Sequence, residues 1–178
     1  MQITELELPG CHLLEPRVFE DSRGRFVKPF VQSVLQARGL RTDFIEQYYS
    51  TSAVGVVRGM HFQLPPHDHA KLVYCASGAV TDVLLDLRKQ SPTCGKHLSL
   101  SLSASSGRAV YIAAGVAHGF IATSEPALLV YNVTSEYAPQ HDSGVRWDSF
   151  GFDWGVTAPV MSARDGGFPT LQQFASPF

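Results

Sequence analysis

Along this chain apolar and polar residues alternate with a period of two more often than with the helical 3.6. Lys96 to Ser103 (KHLSLSLS) sets Leu98, Leu100 and Leu102 against serines, the pattern of an antiparallel strand with one face in a core and the other in water. Val80 to Leu87 (VTDVLLDL), Arg108 to Ile112 (RAVYI) and Ala127 to Thr134 (ALLVYNVT) are further short apolar runs rich in β-branched and aromatic residues. Turn chemistry separates them at Gly78, Ser91-Pro92, Ser105-Ser106-Gly107 and Ser124-Glu125-Pro126. Helix is expected only at Gln32 to Arg38 (QSVLQAR), stopped by Gly39, with a last turn over Thr170 to Phe174. From Gly151 onward the tail reads as extended chain wrapped on the body. The spacing of strands and turns predicts a sandwich or barrel.

Composition narrows this further. A chain of 178 residues, 44% of them hydrophobic, can bury about 70% of its unfolded surface, so residues 1–178 are expected to form one domain. Eleven Phe and six Tyr suit a β architecture whose mouth is lined with rings. The net charge of -2 provides no field for nucleic acid or an anionic membrane, and neither is expected as a partner. Cys11, Cys75 and Cys94 are odd in number and widely spaced, so they read as reduced thiols. The opening MQITELELPG carries Glu5 and Glu7 where a secretory leader needs positive charge, and no long apolar run follows. The expectation is a soluble, cytoplasmic protein.

Candidate chemistry concentrates in Arg58 to Val73, RGMHFQLPPHDHAKLV. His67-x-His69, followed later by Gly115-Val116-Ala117-His118, resembles the two metal motifs of cupins. A metal-binding cupin also carries a carboxylate four or five residues after the second histidine, where this chain has Val73 and Tyr74. No fourth ligand is visible, and a hydrophilic Pro65-Pro66-His67-Asp68 loop whose histidines face water is the preferred reading. His61 differs, because it lies between Met60 and Phe62 in an apolar, strand-like setting. Burial there keeps an imidazole neutral, leaving either a proton acceptor or a satisfied core histidine.

Arg58-Gly59-Met60-His61-Phe62-Gln63, Ala70-Lys71-Leu72-Val73, Asp82 to Gly95 (DVLLDLRKQSPTCG), Ala117-His118-Gly119-Phe120, Tyr131 to Pro139 and Ser162-Ala163-Arg164-Asp165 follow one another in order. Together they resemble the dTDP-4-dehydrorhamnose 3,5-epimerase family, from about Phe19 to Leu171. The resemblance implies an all-β, cupin-type jelly roll (a double-stranded β-helix barrel) with few short helices. It also implies a homodimer that exchanges N-terminal segments and needs no cofactor or metal. The implied substrate is a nucleoside-diphosphate sugar of the 4-keto-6-deoxy class, epimerised at C3, C5 or both.

By family position, His61 is the base, Asp165 its carboxylate partner, Lys71 the cation facing the enolate oxygen and Tyr131 the opposing acid. His118 lines the pocket beside Lys71, Tyr137 stacks on the nucleobase, and Arg23, Arg58 and Arg164 lie on the substrate side. Phe26, Lys28 and Gln47 complete the implied binding set, with Arg23 and Phe26 reaching a neighbouring subunit's pocket. Two departures stand out. Lys28 in RFVKPF occupies a position usually held by glutamate, and Glu46-Gln47-Tyr48 replaces a Gln-Asp-Asn run. These leave guanine and cytosine beside thymine as candidate bases, and the chain looks more like a branch associated with GDP-heptose and CDP-sugar modification. Rival readings are a sugar-nucleotide-binding jelly roll without catalysis and a metal-dependent cupin.

Overall fold

The computed structural model describes residues 1–124 and 126–178; Glu125, in one of the expected turns, lies outside the described residues. In chain order the strands are β1 (Gln2–Glu5), β2 (His12–Glu15), β3 (Val18–Asp21), β4 (Gly24–Val27), β5 (Glu46–Ser52), β6 (Val57–Gln63) and β7 (Lys71–Ser77). They continue with β8 (Ala79–Asp86), β9 (His97–Ser103), β10 (Ala109–Ile112), β11 (Val116–Ala122), β12 (Ala127–Val133) and β13 (Asp142–Gly144). Two short helices, α1 (Gln32–Gln36) and α2 (Ala163–Gly166), complete the set.

The strands form two antiparallel sheets, ordered β1-β2-β10-β7-β12-β5 and β13-β6-β11-β8-β9, with β3-β4 as a separate hairpin. Consecutive strands β7 and β8 belong to different sheets, and Gly78 between them, at φ 71°, lets the chain step across without a Cβ penalty. The two sheets face each other as a jelly roll.

Period-two alternation then builds the layers. Val73 and Cys75 of β7, Leu129 and Tyr131 of β12, Val80 and Leu84 of β8, and Val116 and Phe120 of β11 meet between the sheets as the inner core. Their neighbours face outward, and each outer face is covered. Leu35 of α1 packs on Leu14, Leu72 and Tyr111 outside the first sheet. Outside the second, Met60, Phe62, Val83 and Leu85 are covered by Trp154 and a row of tail aromatics that includes Phe150, Phe174 and Phe178.

All four expected strands and the α1 helix form within a residue or two of their predicted bounds. The last turn appears as hydrogen bonds donated by the Gln173 and Phe174 amides to the Thr170 carbonyl. The tail lies on the second sheet as anticipated, but it also contains α2, which the SARDGG composition did not suggest. No helix among the described residues is long and apolar enough to cross a membrane.

Candidate active site

The site begins with an irregularity in β6. His61 stands opposite His118 of β11 and Arg58 stands opposite Phe120, so Gly59 and Met60 together face the single residue Gly119. This is a β-bulge, and it shifts the alternation by one residue. Val57, Met60 and Phe62 point to the tail side, while Arg58, His61 and Gln63 all line the cavity between the sheets. Both glycines are sterically required. A Cβ on Gly59, whose φ is +134°, would lie 2.5 Å from the Gly119 Cα, and one on Gly119 would lie 2.8 Å from the Arg58 carbonyl.

Asp165 reaches His61 from α2. Ser162 caps this turn, its Oγ accepting from the Asp165 amide at 3.1 Å. The Asp165 Oδ2 accepts the Gly59 amide at 3.1 Å, and Oδ1 lies 3.0 Å from Nε2 of His61. That nitrogen has no aligned hydrogen bond among the described residues, so the carboxylate lies close to the ring but off the N–H axis. Burial, only partly offset by Asp165, lowers the proton affinity of His61, and Lys71 and Arg164 lower it further. Burial raises that of Asp165, but His61, the Gly59 amide and Ser162 outweigh it and hold the carboxyl below its usual range. The resting pair is a neutral imidazole beside a carboxylate.

Across the cavity stands the other sheet. Lys71, on β7, is almost fully buried, and its ammonium donates to the His61 carbonyl at 3.1 Å. Burial depresses its pKa to about 8 against the opposing pull of Asp142 and Asp82. Tyr131, on β12, is also buried; desolvation drives its phenol strongly upward, with Ser50 Oγ 3.2 Å away. His118 contacts Asp82 of β8 at 2.6 Å, with both side chains removed from water. The guanidinium of Arg58 donates to Ser52 Oγ and the Thr51 carbonyl.

These groups line two adjacent chambers whose walls share Tyr48, His61 and Lys71. The inner, about 160 Å³, holds Arg58, His118 and Tyr131. The outer, about 400 Å³, is walled by Glu46, Gln63, His69, Tyr137, Asp142 and Arg164. Arg164 pairs with Asp142 at 2.6 Å and lies over the Phe168 ring. Tyr137 donates its hydroxyl to the same carboxylate and its amide to Glu46, leaving its ring largely exposed.

The expected histidine loop divides. Burial, then Lys71, takes His69 down to about 3, leaving a neutral ring with Nδ1 3.0 Å from Ser135 Oγ. His67 instead packs against His141, centroids 4.4 Å apart. Among the described residues no group of three or more His, Cys, Asp or Glu is arranged to hold a metal.

Thus His61, Asp165, Lys71, Tyr131, Arg58, His118, Tyr137 and Arg164 come together. Arg23, Phe26, Lys28 and Gln47 do not join them within this chain. Arg23 pairs with Asp21 on the exposed β3-β4 hairpin. Phe26 is 56% exposed, with the Lys28 ammonium 5.6 Å from its ring centroid. Gln47 falls on the outward phase of β5 and donates to Asn132 at 2.6 Å, while its neighbours Glu46 and Tyr48 face inward. Sequence reasoning missed Ser50, Asp82 and Asp142. Asp82 had a signal, a carboxylate in a largely apolar strand, although Asp86 of the same strand shares it; Ser50 and Asp142 had none.

Comparison with known proteins agrees over nearly the whole length. The family model described as dTDP-4-dehydrorhamnose 3,5-epimerase matches residues 5–173. The dTDP-4-dehydrorhamnose 3,5-epimerase of Shigella flexneri is 39% identical over 168 residues, covering 93% of each chain. That of Pseudomonas aeruginosa is 40% identical over 169 residues, again 93% of each. The crystal structure of the Bacillus anthracis enzyme with TDP and PPi bound superposes with a TM-score of 0.92 at 37% identity, covering 96% of this chain and 99% of that one.

Proposed function

The chain belongs to the dTDP-4-dehydrorhamnose 3,5-epimerase family, and from that membership we propose how it inverts a carbon flanking the C4 carbonyl of a nucleotide-linked 4-keto-6-deoxy sugar. His61 removes the proton from C3 or C5, and the C–H electron pair moves into the enolate. Asp165 stabilises the imidazolium that forms. Lys71 faces the enolate oxygen as a cation, and Tyr131 returns a proton to the opposite face.

One observation carries this reading: His61 projects from the five-stranded sheet and Tyr131 from the six-stranded sheet into one cavity. A sugar held between the sheets is addressed from both faces, as inversion demands. The inner chamber suits a sugar ring, and the nucleoside diphosphate extends into the outer one. There Arg164 can exchange Asp142 for a phosphate oxygen, Arg58 serves the same charge from within, and Tyr137 offers a free ring to the base.

The exposed β3-β4 hairpin favours a homodimer in which Arg23, Phe26 and Lys28 of one subunit complete the other's pocket. Phe19 and Phe26 are about half exposed on it, surface that a partner would cover. The relatives' names specify dTDP; in this chain Glu46 presents a carboxylate to the outer chamber, which makes the base a matter for experiment.

The test is NMR of dTDP-, GDP- and CDP-linked 4-keto-6-deoxy sugars in D₂O. Deuterium should enter C3 or C5 with one of them in the wild type and with none in His61→Ala, which should still bind the nucleotide. Undiminished exchange in that variant would remove His61 from the mechanism.

A further inference from the structure

Tyr48 has no part in the chemistry above, yet it contacts the ring on which that chemistry depends. Tyr48 and Tyr131 are direct cross-strand partners on β5 and β12, both turned into the cavity. Their rings stack with centroids 4.7 Å apart and planes within 15°. The cross-strand neighbour on the other side is Val73, too small to fix an aromatic ring by itself. His118 meets Tyr131 edge-on at 5.9 Å, and Ser50 touches only its hydroxyl. Of these contacts Tyr48 alone stacks parallel on the ring, and it alone lines both chambers.

We infer that Tyr48 is a positioning residue: its stack sets the direction of the Tyr131 hydroxyl and screens it from the outer chamber, so that the proton reaches the sugar face opposite His61. This rests on Tyr131 being the acid. A displacement of about 1 Å at a reacting group costs on the order of 100-fold in rate, so a ring free to swing delivers its proton poorly. The preceding step belongs to His61, on the opposite sheet, and does not use the stack.

The experiment compares Tyr48→Leu, Tyr48→Phe and Tyr131→Phe with wild type on the sugar nucleotide that exchanges. Deuterium uptake from D₂O, net inversion and Tm are measured on the same samples. Tyr48→Leu should continue to exchange while inverting roughly tenfold more slowly or worse, so the ratio of inversion to exchange falls without a matching change in Tm. Tyr48→Phe keeps the stack and should restore the ratio. A Leu variant with the wild-type ratio, or a Phe variant that falls as far as Leu, would overturn the inference while leaving the two-faced mechanism in place. Undiminished inversion in Tyr131→Phe would remove the acid itself, and the inference with it.

Discussion

Replacing Asp165 by Asn separates the charge of the carboxylate from its shape. The amide can still accept the Gly59 N–H that Asp165 accepts at 3.1 Å, so the turn that carries it should survive. What disappears is a negative charge 3.0 Å from the imidazole. At an effective dielectric of about 20 a unit pair at that separation is worth ~5 kcal/mol. The imidazole is 30% exposed, and water screening leaves ~3 kcal/mol for the imidazolium formed in the transition state. That corresponds to a roughly 100-fold lower kcat.

The pH profile carries an independent sign. Asp165 raises the proton affinity of His61 against burial, so its removal should move the acid limb of kcat/KM to lower pH while the plateau falls. Stability is linked as well. Because the folded Asp165 carboxyl lies below its ordinary value, its contribution is present above that value and lost as pH falls through the folded one. The Asn variant should lack that component of acid unfolding. Inversion rates followed by NMR across pH, with calorimetric Tm, measure all three. A kcat within about threefold of wild type would refute the charge argument.

Other outcomes follow from the same geometry. With Lys71 at about 8, wild-type activity should fall as pH rises through that value, and Lys71→Arg should shift the limb upward because a guanidinium stays charged; a wild-type profile flat through pH 8 would free the mechanism from this cation. Gly59→Ala forces a Cβ to 2.5 Å from the Gly119 backbone at positive φ and should cost about 2–4 kcal/mol in chemical denaturation; a loss under about 1 kcal/mol would mean the bulge can relax. Elemental analysis of untagged protein should find well under one equivalent of zinc, iron, manganese or nickel, and a stoichiometric metal that activity requires would favour the cupin-metal reading instead.

The period-two strands were legible because each buries one face: the Leu–Ser alternation of β9 and the apolar β8 and β12 declare themselves. Strands β5 and β6 were harder. The inward positions of β5 are Glu46, Tyr48 and Ser50, polar because they line a cavity rather than a core. In β6 the strand-like setting of His61 is legible, but the bulge breaks the alternation that would give its bounds and facing. Gln47 lies off the cavity within this chain for a related reason, since a one-residue step along a strand exchanges inside for outside. His61 and Asp165, 104 positions apart, could be paired only through resemblance, because no local pattern encodes a contact between β6 and the tail.

That separation also sets an order of events on the ribosome. Every strand of both sheets precedes Val145, whereas Asp165 follows it. A nascent chain can close its sheets around His61 before the carboxylate has been synthesised, and only the later docking of the aromatic tail delivers it. Because the tail that delivers Asp165 also covers Met60, Phe62, Val83 and Leu85, a chain truncated before residue 150 would lose its proton chemistry and the cover of one sheet face together.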